Sequence, residues 1–341
     1  MALAFHAEAF CASVRRRAYL PSEVVFGGVG TNQPGVSDAD ILNTAGEEAL
    51  SYLAPLLMRF REEYFVRTLD ILMTPGQVAY DLPSRAIGER LRHVILVDTN
   101  GNTITLPRAE PEALPSVGSY ATASTQPYGF YLQAEQLILI GAPSAGIAAT
   151  WQLRLKYFLR PAQAVKYGTS GLQYLDQLTK LQPNFTAAGQ YCKVTGVAGN
   201  VLTVSVAPTT FPTGTVVDLI QGNPPFRTRL TDGVITAGGN TTSITVGTVP
   251  VDVVVGDFIC QANESPYPTA PIEVHPLLAQ RCAVLALERM NRLDKLQAVQ
   301  GRLTEMEKAV PALVSNRVDG NMRHIFNGMA RWRSYPGRGS W

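Results

Sequence analysis

The clearest strand signal in the first half of the chain is Trp151-Gln152-Leu153-Arg154-Leu155-Lys156-Tyr157-Phe158. Apolar and polar residues alternate along it, with Trp, Leu, Leu and Tyr on one side and Gln, Arg and Lys on the other. Successive side chains of a β-strand point to opposite faces of its sheet. The pattern therefore predicts a strand in a sheet that is covered by protein on one face and meets water on the other.

Shorter signals upstream predict further antiparallel strands. The run His93–Val97 is followed by the turn Asp98-Thr99-Asn100-Gly101 and then by Thr103–Leu106. Asn-Gly tolerates the positive φ that a tight turn requires, so this segment is typical of a β-hairpin. A second strand pair is predicted across a short polar turn, from Tyr128–Leu132 to Leu137–Ile140. Together these runs predict a small all-β region between Leu69 and Pro161.

Helical segments frame this region. Ser37 is an N-cap candidate, and from Leu42 to Tyr64 an apolar residue recurs every three or four positions. Pro55 lies inside that pattern and should kink or divide the helix, because proline lacks an N–H and its ring clashes with the preceding turn. A second helix is predicted to begin after Pro276 and to run to about Val310.

Between the two helical segments, residues 162–270 have a different composition, rich in Val, Thr and Gly. They contain a weak internal repeat with a spacing of 42 residues, in which Leu202-Thr203-Val204 matches Ile244-Thr245-Val246 and Gly214-Thr215-Val216-Val217 matches Gly256-Asp257-Phe258-Ile259. Two such units can pair into a small barrel or sandwich. We interpret the segment as an inserted all-β domain, with residues 1–161 and 271–310 forming the body of the protein.

The last segment, residues 311–341, loses helical periodicity and combines arginines with aromatic residues. Residues 273–341 hold 11 Lys/Arg against 6 Asp/Glu, a net charge of +5. The segment has too few apolar residues to fold alone, so it should become ordered on a partner. Trp, Tyr and Arg dominate protein-binding hot spots, and they also bind single-stranded nucleic acid. The sequence favours protein docking and leaves DNA contact and a solubilising tail open. The docking candidates are Arg317, Arg323, Phe326, Arg331, Trp332, Arg333, Tyr335 and Trp341.

The motifs of common enzymes and metal sites do not occur in the chain. Gly27-Gly28-Val29-Gly30-Thr31-Asn32 lacks the Lys-Ser/Thr of a phosphate-binding loop, and the four histidines and four cysteines are scattered without ligand spacing. We therefore expect no enzyme activity, no catalytic residue, no cofactor and no metal. Scattered cysteines also favour a reducing compartment, and no stretch approaches the ~20 apolar residues of a membrane span. Only 16% of the residues are charged, which suggests that much of the surface meets other protein.

Three short motifs follow one another along the chain: Gly76–Pro83, Gln126–Tyr131 before Leu137–Pro143, and Leu155–Pro161. Their order resembles the head-to-tail adaptor proteins of tailed double-stranded DNA bacteriophages, also called head completion or connector proteins. These proteins form a ring beneath the portal. The resemblance covers about residues 38–161 and 271–327, and a terminal helix and an arginine-rich tail complete it.

The resemblance implies a non-enzymatic structural protein of the virion neck that assembles in the bacterial cytoplasm. It implies an α+β fold, with a helical body and a small antiparallel β region, and a ring of twelve copies. The implied partners are the portal protein, tail or nozzle proteins, and the genomic DNA that crosses the channel during ejection. In such a ring, Arg15, Arg16 and Arg17 are candidate channel contacts, although such a cluster is more often a solvated face.

Residues 162–270 depart from the common adaptor pattern. Their face could bind tail proteins, the host or a decoration layer. Because Val/Thr/Gly-rich repeats also occur in tail spikes and lectin-like domains, the alternative hypothesis is a tail-associated module that binds a host surface or a carbohydrate.

Overall fold

The computed structural model describes residues 6–20, 36–110, 126–165, 191–208, 211–224 and 226–314. Helices and antiparallel sheets occur together in these residues, which confirms the mixed α+β class. The helices are α1 (Ala7–Arg17), α2 (Asp38–Glu48), α3 (Ala54–Phe60), α4 (Ala145–Thr150), α5 (His275–Arg289) and α6 (Leu293–Val314).

Five of these helices, all except α4, contribute to one apolar core. Helix α5 lies at its centre and is buried on most of its surface, with α1, α2 and α6 packed around it. Polar contacts also join the segments on either side of residues 162–270. Arg281 of α5 donates to Glu48 of α2 at 2.9 Å, and the Tyr52 hydroxyl donates to Glu307 of α6 at 2.5 Å. Helices far apart in sequence are therefore neighbours in space.

The helix that follows Ser37 begins as the sequence predicts and becomes irregular just before Pro55. The Ser37 hydroxyl accepts the Asp40 backbone N–H at 3.1 Å, and the Asp40 carboxylate accepts the Ser37 backbone N–H at 3.1 Å, which completes a capping box. A π-helical turn, Ala49–Leu53, separates α2 from α3, and Pro55 lies in the first turn of α3. The backbone stays helical through that turn, so Pro55 lies within a continuous helical run, and the irregular π-helical bonding before it accommodates the proline. Helix α3 ends at Phe60, and a 3₁₀ turn follows.

The second helical segment differs from the prediction of one helix up to about Val310. It is divided into α5 and α6, and Asn291 between them has a left-handed φ of 52°. Asparagine tolerates that conformation and commonly ends helices. Helix α6 also continues through Pro311 to Val314. A proline inside a helix costs about 3 kcal/mol, and the burial of Val310 and Val314 on either side of it offsets that cost.

The all-β region is a sandwich of two antiparallel sheets that share one apolar core. Both predicted hairpins are confirmed, and Leu153, Leu155 and Tyr157 are buried on the covered face as the alternation predicts. One strand, which begins at Val66, was not predicted. The sheet orders are β1-β7-β3-β4 and β2-β6-β5, formed from β1 (Val66–Leu72), β2 (Ala79–Asp81), β3 (Ala86–Asp98), β4 (Thr103–Thr105), β5 (Gly129–Gln133), β6 (Gln136–Ile140) and β7 (Trp151–Leu159).

Six strands between Tyr191 and Gln261 form a closed barrel, and the strands just outside it lie side by side. The outer pair is β8 (Gln163–Ala164) and β15 (Glu264–Ser265), which are parallel and in register. The chain therefore leaves the body and returns to it at one place. The barrel order is β10-β13-β12-β11-β14-β9, with β9 (Tyr191–Ala198), β10 (Val201–Val204), β11 (Val216–Ile220), β12 (Thr228–Ala237), β13 (Ser243–Val246) and β14 (Phe258–Gln261).

The internal repeat is visible as a pseudo-twofold symmetry of the barrel. Strands β9, β10 and β11 correspond to β12, β13 and β14, and the strand order is preserved when the two sets are exchanged. Matching backbone bonds recur: the Val204 N–H donates to Thr242 at 2.9 Å, and the Val246 N–H donates to Asn200 at 2.9 Å. The repeat therefore forms a barrel, one of the two architectures that the sequence predicts. That this barrel is an insertion that folds by itself stays a prediction.

Candidate interaction surfaces

The three arginines at the end of α1 do not form one exposed cluster. Arg15 donates from Nε to the Asp38 carboxylate at 2.9 Å, and Arg17 donates to the Gln280 side-chain oxygen at 2.9 Å. Burial lowers the pKa of Arg17, and the nearby charges of Arg302 and Arg16 lower it further. Arg15 and Arg17 thus brace α1 against α2 and α5, and Arg16 alone of the three is exposed. Contact of these residues with DNA stays a prediction. Among the three, Arg16 has the side chain that is exposed for such a contact.

The arginine-rich tail follows directly from α6. Val314, the last residue of that helix, is buried in the helical core, and Leu313 beside it is 47% exposed. All eight predicted docking residues, from Arg317 to Trp341, lie outside the described residues. Their role stays a prediction.

The uncovered face of the first sheet is polar, as the alternation in β7 predicts. Arg154 makes two parallel hydrogen bonds to the Asp70 carboxylate on β1, at 2.6 and 2.8 Å. Lys156 and Gln152 point to the same side, and Leu72 on β1 is 73% exposed there. An exposed ion pair of this kind contributes about 0.2–1 kcal/mol to stability. The face can therefore meet solvent or a partner without a large cost.

The barrel is joined to the body through a buried ionic cluster that the sequence analysis did not identify. Arg85, in the turn before β3, donates to Asp218 of β11 at 2.8 Å and to Asp232 of β12 at 3.1 Å. The side chains of Arg85 and Asp218 are only 5% and 1% exposed. Asp218 also accepts the backbone N–H groups of Asp232 and Asn263. Burial lowers the pKa of Arg85, but the two carboxylates raise it more, so its pKa lies above the ordinary value.

One sequence signal could have pointed to this cluster. Asp218 stands in the run Val216-Val217-Asp218-Leu219-Ile220, which is otherwise wholly apolar. A strand with that pattern is buried on both faces, and a carboxylate in such a position requires a charged partner. The identity of the partner could not be predicted, because Arg85 lies 133 residues away.

Aromatic side chains pack beside the ionic cluster, on the outer face of β11 and β14. Phe226 stacks on Tyr267 with ring centroids 4.0 Å apart, and the His6 ring lies 4.7 Å from Tyr267. The first residue of α1, Ala7, donates its N–H to Pro266 at 3.0 Å. Ile220, Phe258 and Cys260 belong to the same apolar cluster. The barrel is therefore held to the body by apolar packing as well as by charge.

Glu264, where the chain leaves the barrel, is a half-buried residue with one buried carboxyl oxygen. Its Oε2 has no hydrogen-bond partner among the described residues. Burial raises the pKa of Glu264 to about 7. The group lies on β15, beside Gln163 of β8, so its ionisation would place a charge at the junction between body and barrel.

The free outer surface of the barrel is apolar in places and carries little net charge. Its exposed large apolar residues are all valines, of which Val251, Val254 and Val255 lie on the loop before β14. The charges nearest to that loop are matched, because Arg229 forms ion pairs with Asp252 at 2.7 Å and Asp257 at 2.8 Å. This composition suits contact with an uncharged surface.

The described residues contain no group of three or more side chains suited to hold a metal ion. The four cysteines are free and buried, and burial raises the pKa of Cys192 to about 11 and that of Cys282 to about 12. Among the described helices, none combines the length and apolar character that crossing a bilayer requires. No family model matches the chain, and no curated protein is similar to it at a significant level.

Proposed function

We propose that this chain is a structural virion protein, a ring-forming head-to-tail adaptor that binds the portal, extends the DNA channel and attaches the tail. One observation supports the proposal most. The helical segments before and after residues 162–270 share one core, and α6 leads from that core into the arginine- and tryptophan-rich tail. A compact body with a docking tail suits a subunit that is held by its neighbours.

The β sandwich and the barrel would then form the parts of the ring that lie away from the helical core. The parallel pair of β8 and β15 supports the interpretation of the barrel as an addition to the adaptor body, because a segment whose ends meet can be added without separating the elements around it. The nearly neutral barrel surface suits a further protein contact.

The test is assembly with the portal protein that is encoded with this chain. The mixture, viewed by negative-stain electron microscopy, should show a second ring on the portal, whereas the chain alone should sediment as a monomer. A stable ring without portal, or no complex at any ratio, would contradict the proposal. Binding to a glycan array would instead favour the host-surface alternative.

The tail should carry much of the binding free energy. Burying one large aromatic anchor is worth about 2–4 kcal/mol, so Trp332→Ala should weaken portal binding about 30- to 1000-fold. The control is Arg333→Gln, which should matter much less if that arginine lies at the rim. A chain truncated after Val314 keeps all of α6 and should not bind. Undiminished binding by the truncated chain would refute tail docking.

A further inference from the structure

A groove lies between α3 and an irregular segment of β3. Its walls and floor are Pro55, Met58 and Arg59 on the helix and Ile87 and Arg90 on the strand, and its volume is about 400 Å³. That volume lies within the range of about 300–1,000 Å³ that is typical of ligand pockets. Pro55, Met58 and Arg59 share one face of α3, because residues three and four apart are neighbours on a helix.

The strand side of the groove is formed by a bulge. Ala86 pairs with Leu159, but the next paired residue of β3 is Leu91, which pairs with Tyr157. The residues between them are therefore lifted out of the ladder, and Gly88 has a left-handed φ of 54° that permits the turn. Bulges of this kind commonly redirect side chains next to functional sites. Here the bulge brings Ile87 and Arg90 to α3.

The two arginines of the groove differ from several other arginines of the helical body and sandwich. Arg15, Arg92, Arg154 and Arg281 each form an ion pair with a carboxylate. Arg59 and Arg90 form none with a described side chain, and both are exposed. The Arg90 guanidinium lies 5.2 Å from the Phe158 ring centre, and that of Arg59 lies 6.0 Å from the Phe60 ring centre.

This arrangement selects the chemistry of a ligand. An aromatic ring lies near each guanidinium, and guanidinium N–H edges bind carboxylates in a bidentate manner. Pro55, Met58 and Ile87 provide an apolar floor, which a nucleic-acid backbone would not use.

We propose that the groove between α3 and the β3 bulge binds an acidic peptide segment of a partner protein, with an apolar side chain on the floor and carboxylates on Arg59 and Arg90. The observation that selects this occupant is charge complementarity. This surface is separate from the C-terminal tail, and its use does not require that the protein form a ring.

The test uses the full chain and a fluorescein-labelled peptide, Asp-Glu-Phe-Leu-Glu-Asp with blocked ends, in an anisotropy titration. The acidic peptide should bind, and its Asn/Gln counterpart should bind at least tenfold more weakly. The double variant R59Q/R90Q should lose at least tenfold in affinity, and Ile87→Ser should also weaken binding. The matched control is Arg289→Gln, which removes an exposed arginine from the end of α5 and should have no effect.

Three outcomes would overturn the proposal. The first is no binding of the acidic peptide at millimolar concentration. The second is equal binding by R59Q/R90Q and the unchanged protein. The third is that a labelled single-stranded oligonucleotide binds more tightly than the peptide and loses its binding in the same variant, which would assign the groove to nucleic acid.

Discussion

Replacing Arg85 by methionine should destabilise the protein by about 3–5 kcal/mol, because it leaves the Asp218 carboxylate buried without its counter-ion. Asp218 is 1% exposed, so water cannot replace the guanidinium. The backbone N–H groups of Asp232 and Asn263, at 3.0 and 3.3 Å, remain as donors to the carboxylate. They should keep the loss near the lower end of that range.

The measurement is urea unfolding followed by circular dichroism, for Arg85→Met, Asp218→Asn and the double variant. The double variant should lose less stability than the sum of the single variants, because it leaves neither buried charge without its partner. The control is Arg160→Met, because the Arg160 side chain is exposed and its backbone N–H alone bonds to Arg85. A loss below about 1 kcal/mol for Arg85→Met, or strictly additive losses, would show that this ion pair does not stabilise the fold.

Two further changes probe the junction between body and barrel. In the folded state the pKa of Glu264 is about 7, above the ordinary value of 4.5. The folded state therefore binds this proton more tightly than the unfolded state, and stability is lost as the pH rises from about 4.5 through 7. Glu264→Gln should therefore raise the free energy of unfolding by about 2–3 kcal/mol more at pH 8 than at pH 5. Urea unfolding at the two pH values measures this difference, and an equal effect at both would contradict the prediction. Replacing residues 166–262 by a Gly-Ser-Gly bridge keeps both β8 and β15 and should leave a soluble helical body, since these strands are adjacent. Aggregation in sedimentation would show that the barrel belongs to the core.

Local patterns predicted the elements of this fold well where one physical rule dominated. The alternation in Trp151–Phe158 identified β7, and the Asn-Gly turn identified the β3–β4 hairpin, because both depend on neighbours in sequence. The ends of the helices were less predictable. Helix α6 continues through Pro311, since burial of Val310 and Val314 outweighs the intrinsic cost of a proline in a helix.

The candidate surfaces were harder to predict, because they depend on contacts between distant residues. Arg15-Arg16-Arg17 looked like one basic cluster, but Asp38 and Gln280 bind two of its members. The groove at Arg59 and Arg90 required both the face of α3 and the bulge in β3, which are about 30 residues apart and carry no shared motif. No periodicity could indicate that these side chains meet.

The departures from symmetry within the barrel identify the side that docks on the body. Asp218 and Cys260 are equivalent in the 42-residue repeat, and they are also direct partners across β11 and β14, so the pseudo-twofold axis passes between them. At the opposite end of the axis, the equivalent pair Leu202 and Ile244 is apolar in both copies. The copies differ where one of them faces Arg85. Asp218 therefore differs from its equivalent, Cys260, because its charged partner lies outside the repeat. That partner, Arg85, belongs to the body.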